Sequence, residues 1–270
     1  MRTLDFRTEG TPHGFIRRMV SPGDLGERLK PFVFLDQVNG PLKPGTGFGF
    51  HPHSGIATLT YQRGADVAYE DTAGQKGTVA STGLEWMRAG GGTWHQGKLF
   101  PLDQGFTGFQ LWLALPPGVE DGPAEGIYVP PAQVPQVGNV RVLLGTYGGV
   151  TNPIPAPSPV TYLDVELAAD EAWRYEPAVD ETIAWTFVYR GRARVCGEVV
   201  ENELVILDAS NGAFDIVADG PARVLVGVGK KHDHPLVLGS HSVHTNPTSL
   251  ARGQSNIRAI GEGLRRDGRM

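Results

Sequence analysis

The chain has 270 residues, 40% of them hydrophobic, and a net charge of −5 at pH 7. That composition supplies sizeable apolar cores, and its acidic balance excludes a protein that holds nucleic acid through bulk positive charge. A single cysteine rules out an intrachain disulfide, and no segment approaches the roughly 20 apolar residues of a membrane span.

From the N-terminus, MRTLDFRTEGTPHGFIRRMV holds no apolar stretch of signal-peptide length, so a cytoplasmic protein is expected, with neither membrane nor direct nucleic-acid partners. Short strand-like runs follow: FVFLDQV, IATLTYQ, VAYEDT and TGFQLWLAL, then VRVLLGTY, VTYLDVEL, TIAWTFVYRG, RARVCGEVV, ELVILDA, AFDIVA and ARVLVGVG. Many alternate with period two, and 37 glycines and 21 prolines punctuate them. This is the pattern of an all-β chain of sandwiches or small barrels. YQRGADVAYEDTAGQKGTVASTGLEWM and VYRGRARVCGEVVENELVILDAS share an aromatic strand, an RG step, a hairpin and a further strand. We read them as duplicated units, residues 1–130 and 131–244. TNPIPAPSPV can only be a loop, and Cys196 is expected as a small buried hydrophobe on a strand. Residues 245–270 form a short helical tail, with Asn246 as N-cap, Pro247 in the first turn and a stripe of Leu250, Ile257, Ile260 and Leu264. Glycines at 253, 261 and 263 are expected to weaken it.

In GFGFHPHSGIATLTY, His51 and His53 are separated by one intervening residue at the start of an alternating run, and His95 follows a triple glycine in LEWMRAGGGTWH. Positions i and i+2 of a strand share a face, so two imidazoles point one way and a third can join from another strand. Neutral imidazole suits iron, zinc, copper and nickel. By spacing alone, two solvated histidines and one ordinary core histidine fit equally well.

GFHPHSGIATLTY, YEDTAGQKG, LEWMRAGGGTWH and GFQLWLALP, in that order, resemble the pirin family, a branch of the bicupins. The resemblance is dense over residues 30–117 and continues more loosely through GKKHDHPLVLGSHSVHTN to the C-terminal helix. It implies two stacked cupin-type β-barrels, one divalent metal ion in the first, and a C-terminal segment that crosses back toward that barrel. It makes His51, His53 and His95 the metal ligands. Iron(II) is the expected ion, and zinc, nickel, manganese or copper would also suit such a set.

The chain departs from the family at two carboxylates. The glutamate ligand two residues after the third histidine is Gly97, and the glutamate four residues after the second is Ala57. Without them the metal carries more net charge, keeps an open position and loses the obvious base. An anionic small-molecule ligand is then favoured. The resemblance implies a dioxygenase acting on a small aromatic or enolisable substrate, with flavonol cleavage weakened by the missing glutamates. The alternative it implies is a metal-dependent regulatory module that binds a protein partner without turnover.

Other residues divide between roles. Glu85 is a candidate partner for a histidine N–H, while Gln110 and Trp112 share a strand face that can line the pocket. Trp86, Trp94 and Trp112 read as core, with a stacking platform for a flat substrate as the alternative. Glu70 and Asp71 read as a hairpin, and Gln96 as surface. His232, His234, His241 and His244 read as a loop near the mouth of the first barrel, from which one could act on the centre indirectly, rather than as a second metal site.

Overall fold

The computed structural model describes residues 1–102 and 105–270. Period-two patterning becomes structure most plainly in the short strands Ala172–Tyr175 and Arg192–Val195, whose residues alternate between exposed and buried. Trp173, Tyr175, Ala193 and Val195 point inward and the residues between them face out. The described residues fall into two compact units, Pro12–Gln133 with His232–Met270, and Met1–Thr11 with Val134–Lys231.

The unit that carries the histidines has a large antiparallel sheet ordered Glu125–Val129, Leu84–Arg88, Ile56–Arg63, Thr107–Ala114, Phe32–Asn39, Ile16–Val20 and Thr11–His13. A smaller sheet runs Thr46–His53, Thr93–Pro101, Ala65–Asp71, Lys76–Val79. Val38 and Phe106 pack with Ala65, Val67, Val79 and Leu99 of the smaller sheet into one core. The other unit repeats the topology. Its Leu204–Leu207, Ile183–Arg190, Ala222–Gly229 and Val160–Leu167 stand in the order of Leu84–Arg88, Ile56–Arg63, Thr107–Ala114 and Phe32–Asn39. The smaller sheet Ala172–Tyr175, Phe214–Ala218, Arg192–Val195, Glu198–Glu201 likewise mirrors its counterpart. The two internal segments compared in the sequence are therefore equivalent pieces of one double-sheet design.

Three local features differ from expectation. Cys196 is not on a strand: with Gly197 it makes the two-residue turn between Val195 and Glu198, at φ 51° and 87°. Both residues at positive φ match the twist of the flanking strands, and the thiol is half-buried against the core. The N-terminal strand Leu4–Thr8 pairs with Leu204–Leu207, within the other compact unit and not with the strands that follow it in the chain. Just before it, buried Arg2 donates to the carbonyls of Gly212, Thr182, Asp208 and Glu181 at 2.6–3.1 Å. A buried charge is tolerated only when so fully hydrogen-bonded.

The third difference is in the helix, which spans 20 residues, Pro247–Arg266. Asn246 accepts from the Ser249 amide at 2.9 Å, as an N-cap should. Its buried face, however, is Ser249, Gly253, Ile257, Gly261 and Leu264, a ridge at i, i+4 spacing. Leu250 and Ile260 are only half-buried. Gly261 lies against the Trp94 ring, whose indole N–H donates to the Ile257 carbonyl at 2.7 Å. Gly253 lies against Ser54 and His244. These two glycines let the helix approach closely. Among the described residues no helix is long and apolar enough to cross a membrane.

Candidate metal centre

His51 and His53 end the Thr46–His53 strand, two residues apart and therefore on one face. The neighbouring Thr93–Pro101 strand pairs His95 directly with His51, and a bulge between His95 and Gly97 follows. Their ring centroids lie 4.3 Å (His51–His95), 5.0 Å (His51–His53) and 5.0 Å (His53–His95) apart. One ring nitrogen from each falls within 4.8 Å of the others. His51 Nδ1 contacts the Gly49 carbonyl at 2.8 Å and His53 Nδ1 the His241 carbonyl at 3.2 Å. These contacts fix Nδ1–H and leave Nε2 as the lone-pair nitrogen. His95 Nε2 is buried with no hydrogen-bond partner.

Burial pushes His51 down to about 4, helped by nearby His95 and opposed by the Gly49 carbonyl. The same burial, with His95 and His51 beside it, drives His53 well below its ordinary value. Both are neutral at pH 7 and present lone pairs, the state a divalent ion requires. An orphaned nitrogen on the third histidine completes the fit: the three could hold a metal ion.

The rings open onto a cavity of about 470 Å³. One wall is aromatic. Trp112 stacks on Phe34 with centroids 3.9 Å apart and planes at 8°, and its edge meets His53 at 4.9 Å. Beside it a polar row crosses five strands in register, Arg18, Asp36, Gln110, Thr60 and Glu85. Arg18 forms a bidentate ion pair with Asp36. Burial raises the Asp36 pKa and Arg18 opposes the rise. The Thr60 hydroxyl lies 2.9 Å from Glu85 Oε2 and 3.1 Å from Gln110 Oε1, and Gln110 Nε2 is buried without a partner. Glu85 Oε1 is 4.0 Å from His95 Nδ1. Apolar Val67 and Leu99 face this row.

Glu85, Gln110, Trp112 and Gly97 all line the cavity with the three histidines. Trp112 is thus a wall of the pocket as well as a packing residue. A Cβ at Gly97 would meet only Val67 Cγ1 at 3.6 Å and the Ala68 carbonyl at 3.9 Å, so a side chain has room. Ala57 is fully buried and is not part of the cavity wall. Asp71 instead holds its hairpin by accepting from the Gln75 amide at 2.9 Å. Glu70 bonds Gln96 and Arg269, and Arg269 holds its carboxyl below the usual range.

The four later histidines separate. His232 and His234 pair with each other at 5.3 Å, and the His232 amide donates to the Lys30 carbonyl. His244 is buried: its Nε2 lies 3.0 Å from Ser54 Oγ, and its Nδ1 is 3.3 Å from Glu120 without hydrogen-bond alignment. Glu120 also accepts from the Thr245 amide and hydroxyl, both at 2.6 Å, and so anchors the entry to the C-terminal helix. His241 alone enters the cavity, from the turn between Val237–Gly239 and Ser242–His244. Sequence spacing does not single out His241, Glu120 or the Arg18–Asp36 pair, because each is placed by contacts distant along the chain.

Known proteins are similar to this chain in sequence and in fold. The pirin family model matches residues 15–113. A pirin-like protein of Caulobacter vibrioides is 32% identical over 223 residues, 78% of this chain and 79% of its own. A Pseudomonas aeruginosa protein provisionally named quercetin 2,3-dioxygenase is 32% identical over 235 residues, 80% of each chain. The crystal structure of quercetin 2,3-dioxygenase from Acinetobacter baumannii superposes with a TM-score of 0.87 at 23% identity, covering 96% of this chain and 97% of that one, so the cupin fold is shared. With a relative at 32% identity over most of its length, this chain belongs to the pirin family.

Proposed function

We propose that the protein is a cytoplasmic dioxygenase that holds one iron(II) ion through His51, His53 and His95 and acts on a small, flat aromatic or enolisable substrate. The observation that carries this reading is three imidazoles converging beside a stacked aromatic wall in one cavity of about 470 Å³, a volume suited to a small organic ligand. Bound iron supplies the electron exchange that lets dioxygen react with such a substrate. The chain supplies the rest. Phe34 and Trp112 orient a planar ring, and the unpartnered Gln110 amide donates to a substrate oxygen. Glu85 accepts the proton of a substrate hydroxyl, because Asp36, the other carboxylate in the wall, is held by Arg18. Glu85 thereby takes over a task that positions 57 and 97, alanine and glycine here, cannot perform.

Oxygen uptake by the iron-loaded protein is the test, run on flavonols, diketones and thiols. Uptake on an enolisable or flavonol substrate, abolished by His95→Ala and lowered about 10²-fold by Glu85→Gln, supports the reading. No uptake on any of them refutes it, and favours a metal-dependent regulatory role with a protein partner.

A further inference from the structure

We propose that His241 is a fourth metal ligand, delivered by the C-terminal hairpin to compensate for the carboxylate missing at position 97. The inference rests on the three-histidine centre and concerns a residue contributed from 188 positions beyond His53.

Distance is the first argument. The His241 ring centroid is 6.0 Å from that of His53 and 6.4 Å from that of His51. A ring nitrogen about 2.1 Å from an ion puts its ring centre about 3 Å away, so two rings on one ion lie roughly 4.4–6.2 Å apart as the angle between them widens. His241, exposed at the mouth of the cavity, stands at the upper end of that range from His53 and just beyond it from His51, so a rotation of its side chain toward the other three must close the remainder. Its ring makes no hydrogen bond among the described residues and faces the same cavity as the other three.

The second argument is how firmly its backbone is held while its ring stays free. The His241 carbonyl accepts from His53 Nδ1, so the residue is tied directly to one of the ligands. On its C-terminal side, Ser242 Oγ receives a bond from Ser54 Oγ at 2.8 Å, and the Val243 amide donates to the Ser54 carbonyl at 3.2 Å. His241 itself has φ 58°, a left-handed conformation in the two-residue turn between Gly239 and Ser242 that histidine adopts more readily than most residues. That turn, fixed by the contacts of its two flanks, places the imidazole at the cavity wall.

The third argument is the donor set. Gly97 offers no side chain; of the cavity carboxylates, Asp36 is held by Arg18, and Glu85 accepts from Thr60 and lies 4.0 Å from His95 Nδ1, on the side of that ring away from its unpartnered Nε2. A further neutral imidazole matches the preferences of the ions that three histidines accept.

Cobalt(II) titrated into the metal-free, full-length protein and followed by its visible bands tests the assignment. Wild type is expected to bind with bands that His241→Ala alters, with at least tenfold weaker affinity. Added imidazole should restore the wild-type bands to His241→Ala and leave wild type unchanged, which a merely structural role would not produce. Equal affinity and identical bands in wild type and His241→Ala overturn the proposal while leaving the three-histidine centre standing. Failure of wild type to bind cobalt(II), or full binding by His95→Ala, overturns both.

Discussion

The same substitution, glycine to alanine, should have opposite effects at two positions of the C-terminal helix. In a helix interior the change is worth about 1 kcal/mol through propensity alone. At Gly263 an added Cβ would meet only the end of Arg266, at 3.8 Å, so the full gain is expected. At Gly261 it would lie 2.6 Å from Trp94 Cζ2 and 3.1 Å from Cε2, roughly 1 Å inside ordinary carbon contact. The ring cannot retreat, because it is buried and its N–H is bound to the Ile257 carbonyl. Overpacking of this kind costs about 1–3 kcal/mol, which exceeds the propensity gain. Gly261→Ala should therefore destabilise the docked helix by about 1–2 kcal/mol while Gly263→Ala stabilises it by about 1. The chain has two compact units, so a single global transition is a poor gauge. Amide hydrogen exchange of the helix reports it locally. Exchange should quicken in the first variant and slow in the second, and Trp94 fluorescence should shift only in the first. Equal slowing in both would refute the contact and the close-packing role of Gly261.

Four further outcomes can be checked. Gly97→Glu should tighten metal retention about tenfold against a chelator, since the site has room for the side chain; looser binding would mean residue 97 faces away from the ion. Trp112→Leu should raise the KM for a planar substrate about fivefold, with little change in metal content, because it removes a stacking face worth about 1 kcal/mol. For the metal-free protein, His51 titrates near 4 when folded against 6.5 for the free side chain. The unfolded chain therefore binds more protons between those values, and stability falls as pH drops from about 6.5 toward 4, by up to about 3 kcal/mol from this residue. Amide protection in Thr46–His53, corrected for intrinsic exchange, that stays constant across that window would contradict a neutral, largely desolvated His51. Arg2→Met should lower the stability of its unit by about 3 kcal/mol, since it strips donors from four carbonyls, as hydrogen exchange in Leu204–Leu207 would report.

What the sequence made legible follows from how local each cue is. His51 and His53 share a face by period alone, and Asn246–Pro247 marks a helix start by capping chemistry alone. The helix face was misread for a physical reason. A stripe of large apolar residues is visible in sequence, whereas Gly253 and Gly261 matter for the space they leave, and that depends on what packs there. Cys196 sits between strand-like flanks, and only pairing of Val195 with Glu198 reveals a turn. Glu85 joins Thr60 and Gln110 through sheet register. His241 reaches the cavity only because the chain returns from the other unit, which no local pattern encodes.

That return has a consequence for biosynthesis. The unit bearing the three histidines is discontinuous, and its closing piece, His232–Met270, emerges from the ribosome only after Val134–Lys231 of the other unit. Until then His53 lacks the carbonyl that orients it, Trp94 lacks its helix, and one side of the cavity is missing. On the reading proposed above, the N-terminal half made alone would hold His51, His53 and His95 without that support, so metal loading would follow synthesis of the tail, and cleavage ahead of His232 would weaken the centre while leaving those three imidazoles in place.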